Sequence, residues 1–163
     1  MKLRNPLIAS ALGVSMLTCA HPTMMGNFAV EIPQNWHVQQ DGSGLTARLN
    51  PNLELPSLDI QVCERTDPTC NTPCDSQKIK ANYFYFAAGE GRYTFSQRVR
   101  SDGVAEFDLT GSIFDEGGDV QIASRVICSQ RGIVFLTLAS KESLEQLPSL
   151  QSFAETVRWR PYK

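Results

Sequence analysis

RYTFSQRVRSDGVAEFDLT, residues 92–110, decides how this chain folds. In its first half Arg92, Thr94, Ser96, Arg98 and Arg100 are polar, while Tyr93, Phe95 and Val99 are apolar. In its second half Glu106, Asp108 and Thr110 are polar, while Ala105, Phe107 and Leu109 are apolar. A period of two marks strands with one buried face. A two-residue turn would oppose the wrong faces, since a slip of one residue reverses every side chain. A three-residue loop, Ser101-Asp102-Gly103, pairs Arg98 with Glu106 and Phe95 with Leu109. It also puts Gly103 where a left-handed residue is wanted. The hairpin then has one apolar and one charged face, as in an antiparallel sheet covered on a single side.

The same alternation extends outward in both directions. Phe28, Val30 and Ile32 form a first strand, Pro33-Gln34-Asn35 turns the chain, and Trp36-His37-Val38 opens a second. Asp41-Gly42-Ser43-Gly44 is a turn followed by Leu45, Ala47 and Leu49 on one face, and Leu58, Ile60 and Val62 alternate into Cys63. Downstream, 119–128 and 132–139 pair around Gln130-Arg131-Gly132. The run 133–138 is apolar on both faces and belongs at the sheet centre. Ser140 caps a helical turn, and Pro148 opens a last helix on which Leu147, Leu150, Phe153, Ala154 and Val157 share a face. The expectation is an α+β domain: a twisted antiparallel sheet with a C-terminal helix packed on one face, stapled by disulfides.

Residues 1–20 read as an export signal. Lys2 and Arg4 precede an apolar run, Pro6 to Leu17, too short to span a bilayer, and small residues follow. Two cleavages compete. Met16-Leu17-Thr18-Cys19 resembles a lipobox, which would make Cys19 a lipidated first residue and a membrane anchor. Cleavage after Ala20 would release the protein free into the periplasm. Residues 21–27 are a tether in either case, and 28–163 the domain. Without Lys2 and Arg4 the 15 bases fall to 13 against 17 acids, a net charge of −4. That balance argues against nucleic acid as a partner.

Export frames the cysteines. Cys63, Cys70, Cys74 and Cys128 imply two disulfides, with three connectivities open. Zinc on the Cys63–Cys74 spacing is the lesser reading, because no histidine is near. The polar stretch 64–79, with Pro68 and Pro73, reads as a long loop pinned by these cysteines. His21 and His37 sit in no catalytic pattern, and no cofactor motif occurs. Asp102, Glu106, Asp108, Asp115, Glu116 and Asp119 form an acidic run free of Lys and Arg. It reads as a solvated sheet face or as a binding patch, with a hydrolase pair or a calcium turn at 115–119 as weaker alternatives. Alternation in Tyr83-Phe84-Tyr85-Phe86 sends the phenylalanines inward. Tyr83 and Tyr85 go outward, where tyrosines beside acids suit a protein contact.

The Pro33-Gln34-Asn35-Trp36 turn, the meander after it, the late strand 132–139 and Ser152-Phe153 near the end resemble the PsbP-like, Ran-binding Mog-type family. That family includes small exported bacterial proteins and lipoproteins. The resemblance implies a non-catalytic adaptor or binding fold without a shared active site; the cysteine loop lies outside its general pattern. The function expected is a non-enzymatic, cofactor-free, exported protein-binding module, foremost an immunity protein that neutralises a secreted cell-wall-degrading toxin. The alternative is an envelope assembly or scaffold lipoprotein. The contact residues expected are Tyr83, Tyr85, Glu106, Asp108, Asp115, Glu116 and Asp119.

Overall fold

The structure, a computed structural model, describes residues 21–25, 28–84, 92–115, 117–143, 152 and 158–159. Among the described residues the strands are β1 (His21–Met25), β2 (Phe28–Ile32), β3 (His37–Asp41), β4 (Gly44–Arg48), β5 (Ser57–Glu64), β6 (Arg92–Val99), β7 (Ala105–Asp115), β8 (Gly118–Cys128), β9 (Gly132–Ser140) and β10 (Arg158–Trp159), and a helix, α1 (Ser76–Tyr83), lies between β5 and β6. Seven strands form an antiparallel sheet in the order β3-β4-β5-β9-β8-β7-β6, and β1-β2-β10 form a second. Two meanders, β3–β5 and β6–β9, meet where β5 pairs with β9 from Ser57↔Ala139 to Glu64↔Gly132.

The β6–β7 hairpin has the register its alternation predicts, with Phe95↔Leu109 and Arg98↔Glu106. Gly103 has φ +80°, a conformation that costs glycine little and any other residue strain. Strand β9 is the central strand, fourth of seven. Val134, Leu136 and Leu138 enter one core cluster, and Ile133 and Phe135 face a second on the other side. The first cluster joins Leu45, Ala47, Leu58, Ile60 and Val62 to Phe28, Val30 and Ile32 of the small sheet. The second gathers Phe107, Leu109, Val126 and Cys128 under Ile79, Phe84 and Cys70. The two covers thus lie on opposite faces and over opposite halves of the sheet.

This arrangement corrects the expected fold class. The described helix, α1, is in mid-chain rather than C-terminal, and it is too short and too polar to cover a sheet face by itself. It meets the core through Ile79, its one buried residue, and through its C-cap Phe84. The architecture is mostly antiparallel β. Apart from Ser152, the residues expected to form the last helix lie outside the described ones, and the chain end that is described, Arg158–Trp159, pairs with Ala29 and Phe28 as a strand. Among the described residues, the cover on the first face is the second sheet, through Met25, Phe28, Val30 and Ile32. Residues 21–25, expected within a tether, pair with β2 from His21↔Ile32 to Met25↔Phe28. The alternation read through Tyr83-Phe84 fails as well, because Tyr83 ends α1. A segment with the single buried residue Ile79 gives no helical periodicity, and its one sequence signal is Asp75, whose carboxylate accepts from the backbone N–H groups of Gln77 and Lys78.

On the first face, beside Ala123 and Ile127 of the first cluster, the sheet carries charge. Asp108 opposes Arg125, whose Nε donates to Oδ1 and whose Nη2 donates to Oδ2 at 3.0 Å. Glu106 accepts from Arg98 and lies 3.6 Å from Arg100. Glu106 is only 4% exposed and Arg125 6%, so these two charges are withdrawn from solvent, while Arg98 beside them stays half exposed. A buried charge held by a bidentate partner is costly to orphan.

Two expectations follow. Arg125→Met should lower stability by roughly 2–4 kcal/mol in urea unfolding, while adding Asp108→Leu should recover part of that loss. Tyr83 lies against Phe135, and burial raises its phenol above the ordinary tyrosine range, against smaller opposing pulls from Thr72 and Arg65. The folded state therefore holds the proton more tightly than the unfolded one. That stabilisation is full below the unfolded value of about 10 and is lost as pH rises through the folded pKa. Phenolate absorbance should show one late-titrating tyrosine, absent in Tyr83→Phe.

Candidate binding surface

The cysteines pair as Cys63–Cys70 and Cys74–Cys128. The first closes a short ring at the end of β5, and the second ties the far end of the loop to the last residue of β8. Sequence separations of 7 and 54 correspond, in the chain-entropy picture, to about 2 and about 4 kcal/mol of stabilisation. The longer closure is thus the larger restraint. Two disulfides in so small a chain are the chemistry of an oxidising, non-cytoplasmic compartment.

Inside this frame the loop is ordered by its own polar groups. The backbone N–H of Asp67 donates to Glu64 O at 2.9 Å, and that of Cys70 to Asp67 O at 2.9 Å. Thr69 donates to the Asp67 carboxylate through its backbone N–H at 2.8 Å and its hydroxyl at 2.7 Å. Those two bonds hold the exposed Asp67 carboxyl below the usual aspartate range, so it stays ionised. Arg65 folds inward. Its Nη1 donates to Cys70 O at 2.8 Å, and its Nη2 lies 3.8 Å from Cys74 Sγ and 3.6 Å from Cys128 Sγ. Asn82 of α1 donates to Thr72 Oγ1 at 3.0 Å. Thr66, Asp67, Pro68, Thr69, Asn71, Pro73 and Asp75 are left exposed.

With its arginine turned inward, the exposed loop is polar and acidic. Beside it lies a depression of about 340 Å³ lined by Ser43, Val62, Glu64, Thr66 and Asp67 among others. Two carboxylates and two hydroxyls at its wall suit a cationic side chain from a partner. Neither Arg65 nor Asp67 was singled out by the sequence. Asp67 stands two residues before Thr69, an Asx-turn signal that the cysteine spacing overshadows.

Those of the expected contact residues that are described do not form one patch. Tyr83 sits on the helix side of the sheet over Phe135, whereas Glu106 and Asp108 face the other side in ion pairs. Asp119 is exposed and opposes Phe114, itself 82% exposed, at the far end of the β7–β8 hairpin. Tyr85 and Glu116 lie outside the described residues, as does the side chain of Asp115, so the calcium reading of 115–119 falls partly outside them. Cys19 and the whole leader lie outside them too.

No protein-family model matches this chain, and no curated protein matches its sequence. Solved structures share the fold. A protein from Bacteroides thetaiotaomicron VPI-5482 superposes with a TM-score of 0.56 at 13% identity over 83% of this chain, which spans about half (46%) of that protein. PA94 of Pseudomonas aeruginosa, a protein of unknown function, gives 0.50 at 17% identity, covering 88% of this chain and 99% of its own. LpqN, involved in cell envelope biogenesis of Mycobacterium tuberculosis, gives 0.49 at 15% identity, covering 87% and 86%. At these identities the likeness is one of fold alone, and it does not single out the PsbP-like family.

Proposed function

We propose that this chain is an exported, non-catalytic inhibitor, an immunity protein that neutralises a secreted cell-wall-degrading toxin, and that the 63–75 loop is its contact element. The observation that carries the reading is the double tether of that loop. A loop closed by Cys63–Cys70, tied down by Cys74–Cys128 and braced by Asp67–Thr69 is ordered before it meets a partner, so little freedom is lost on docking. Its acidic surface fits the basic groove of an enzyme that works on an anionic polymer.

Periplasmic location, with Cys19 as a lipid anchor if the lipobox cleavage is used, belongs to the same proposal. So does membership in the PsbP-like family, which is supported by the Pro33–Trp36 turn. There the Trp36 N–H donates to Pro33 O at 3.0 Å and the indole is buried.

The oxidised chain should bind and inhibit a cell-wall hydrolase encoded beside its gene. Asp67→Asn, whose amide oxygen can still accept both Thr69 bonds, should weaken that binding severalfold to about tenfold with little change in the unfolding midpoint. Failure to bind any such enzyme, together with envelope defects on deletion in toxin-free cells, would favour the scaffold lipoprotein instead.

A further inference from the structure

We propose that Cys74–Cys128 is a thiol–disulfide exchange site: an external thiolate enters at Cys74, and Cys128 is the sulfur that leaves. Independently of the inhibitor reading, three features distinguish this bond from Cys63–Cys70.

The first is access. Cys74 is exposed and Cys128 is 1% exposed, so a nucleophile reaches one sulfur of the pair and not the other. In the other disulfide Cys70 is buried and Cys63 half-buried. The second is charge. The Arg65 guanidinium lies 3.6 Å from Cys128 Sγ and 3.8 Å from Cys74 Sγ. A cation beside a sulfur favours its thiolate, and a better thiolate is a better leaving group. The third is rigidity. Arg65 Nη1 is fixed on Cys70 O, and the Arg65 backbone N–H donates to Arg131 O at 3.0 Å. The charge is therefore in place before the bond breaks and needs no rearrangement.

The step balances simply. The incoming thiolate sulfur bonds to Cys74 Sγ, the Sγ–Sγ bond to Cys128 breaks, and its electron pair stays on Cys128 as a thiolate facing Arg65. A second thiolate then attacks the adduct. It displaces Cys74 as a thiolate and leaves the external thiols oxidised to their own disulfide. The co-reactant is a thiol, either a monothiol of the glutathione type or a dithiol oxidoreductase. Opening the bond frees the start of α1 from β8 and with it the cover over Phe107 and Val126.

The test uses the fully oxidised chain, treated in one arm with reduced glutathione and in the other with a Cys-x-x-Cys dithiol oxidoreductase. Acid quenching, alkylation of free thiols and peptide mass mapping locate the products. In the glutathione arm the first adduct should sit on Cys74, with free thiol at Cys128 and Cys63–Cys70 still closed. In the dithiol arm both Cys74 and Cys128 should become free first. Either arm opening this bond first supports the site and identifies the thiol source. Arg65→Gln should slow opening roughly threefold to tenfold, and Arg65→Lys should retain most of the rate. Adducts appearing first on Cys63 or Cys70, or on Cys128, would overturn the proposal. So would equal opening rates for wild type and Arg65→Gln. Adduct position is read on the wild-type chain, so a folding defect in a variant leaves that arm decisive.

Discussion

Everything in this molecule hangs on a central strand that is sealed from water on one face and half-buried on the other. Strand β9 is hydrogen-bonded to β5 on one side and β8 on the other, with aliphatic side chains above and below. A strand in that position needs two covers. The chain supplies them from its two flanks: β1-β2-β10 over the β4–β5 half of one face, and the cysteine loop with α1 over the β7–β8 half of the other. The buried residues of the first cover, Met25, Phe28, Val30 and Ile32, are all apolar. The second is short, polar and poorly provided with apolar residues, and the disulfides compensate for that. Cys70 and Cys128 are themselves part of the apolar cluster they anchor.

The strength of the second cover sets what its outer surface can do. A loop whose inner side is fixed by Cys70, Cys128 and Ile79 can devote its outer side to polar groups without losing its shape. Arg65 links the two sides. By folding onto Cys70 O it removes positive charge from the exposed surface and leaves the acids there. One inward rotation thus sets both the electrostatic character of the loop and the environment of the buried sulfurs.

Period-two strands were the most legible part of the sequence, because each side chain reports its face directly. The β6–β7 register, the turn at Gly103 and the central place of β9 all follow from alternation. Disulfide number was legible from parity, but connectivity was not, since it depends on where β8 ends relative to β5. The cover was the part misread. Apolar residues at 147–157 suggested a helix on the sheet, yet what lies against β4 and β5 is a strand, β2, read as a strand but not as the cover. The acidic run was misread for a related reason. Glu106 and Asp108 alternate as solvent-facing residues do, but Arg98 lies across the strand pair from one and Arg125 from the other, and cross-strand pairing takes Glu106 and Arg125 out of solvent while Arg98 stays half exposed. The dispersal of the expected contact residues has the same origin: sequence proximity says nothing about which side of a sheet a helix-end tyrosine reaches.

Among the described residues the seven-stranded sheet ends in two edge strands, β3 and β6, and such edges invite self-polymerisation. The sequence along them discourages it. Every residue of β3 is exposed, and Val38 is its one large apolar side chain. On β6, Arg98 and the following Arg100 are half exposed on the outermost strand. Two copies meeting β6 to β6 would bring these guanidinium groups together before any ladder formed. Joining β6 of one copy to β3 of the next is the pairing left over; it is head-to-tail and closes no ring by itself. The arginine-bearing edge thus works against symmetric β6-to-β6 growth of the sheet.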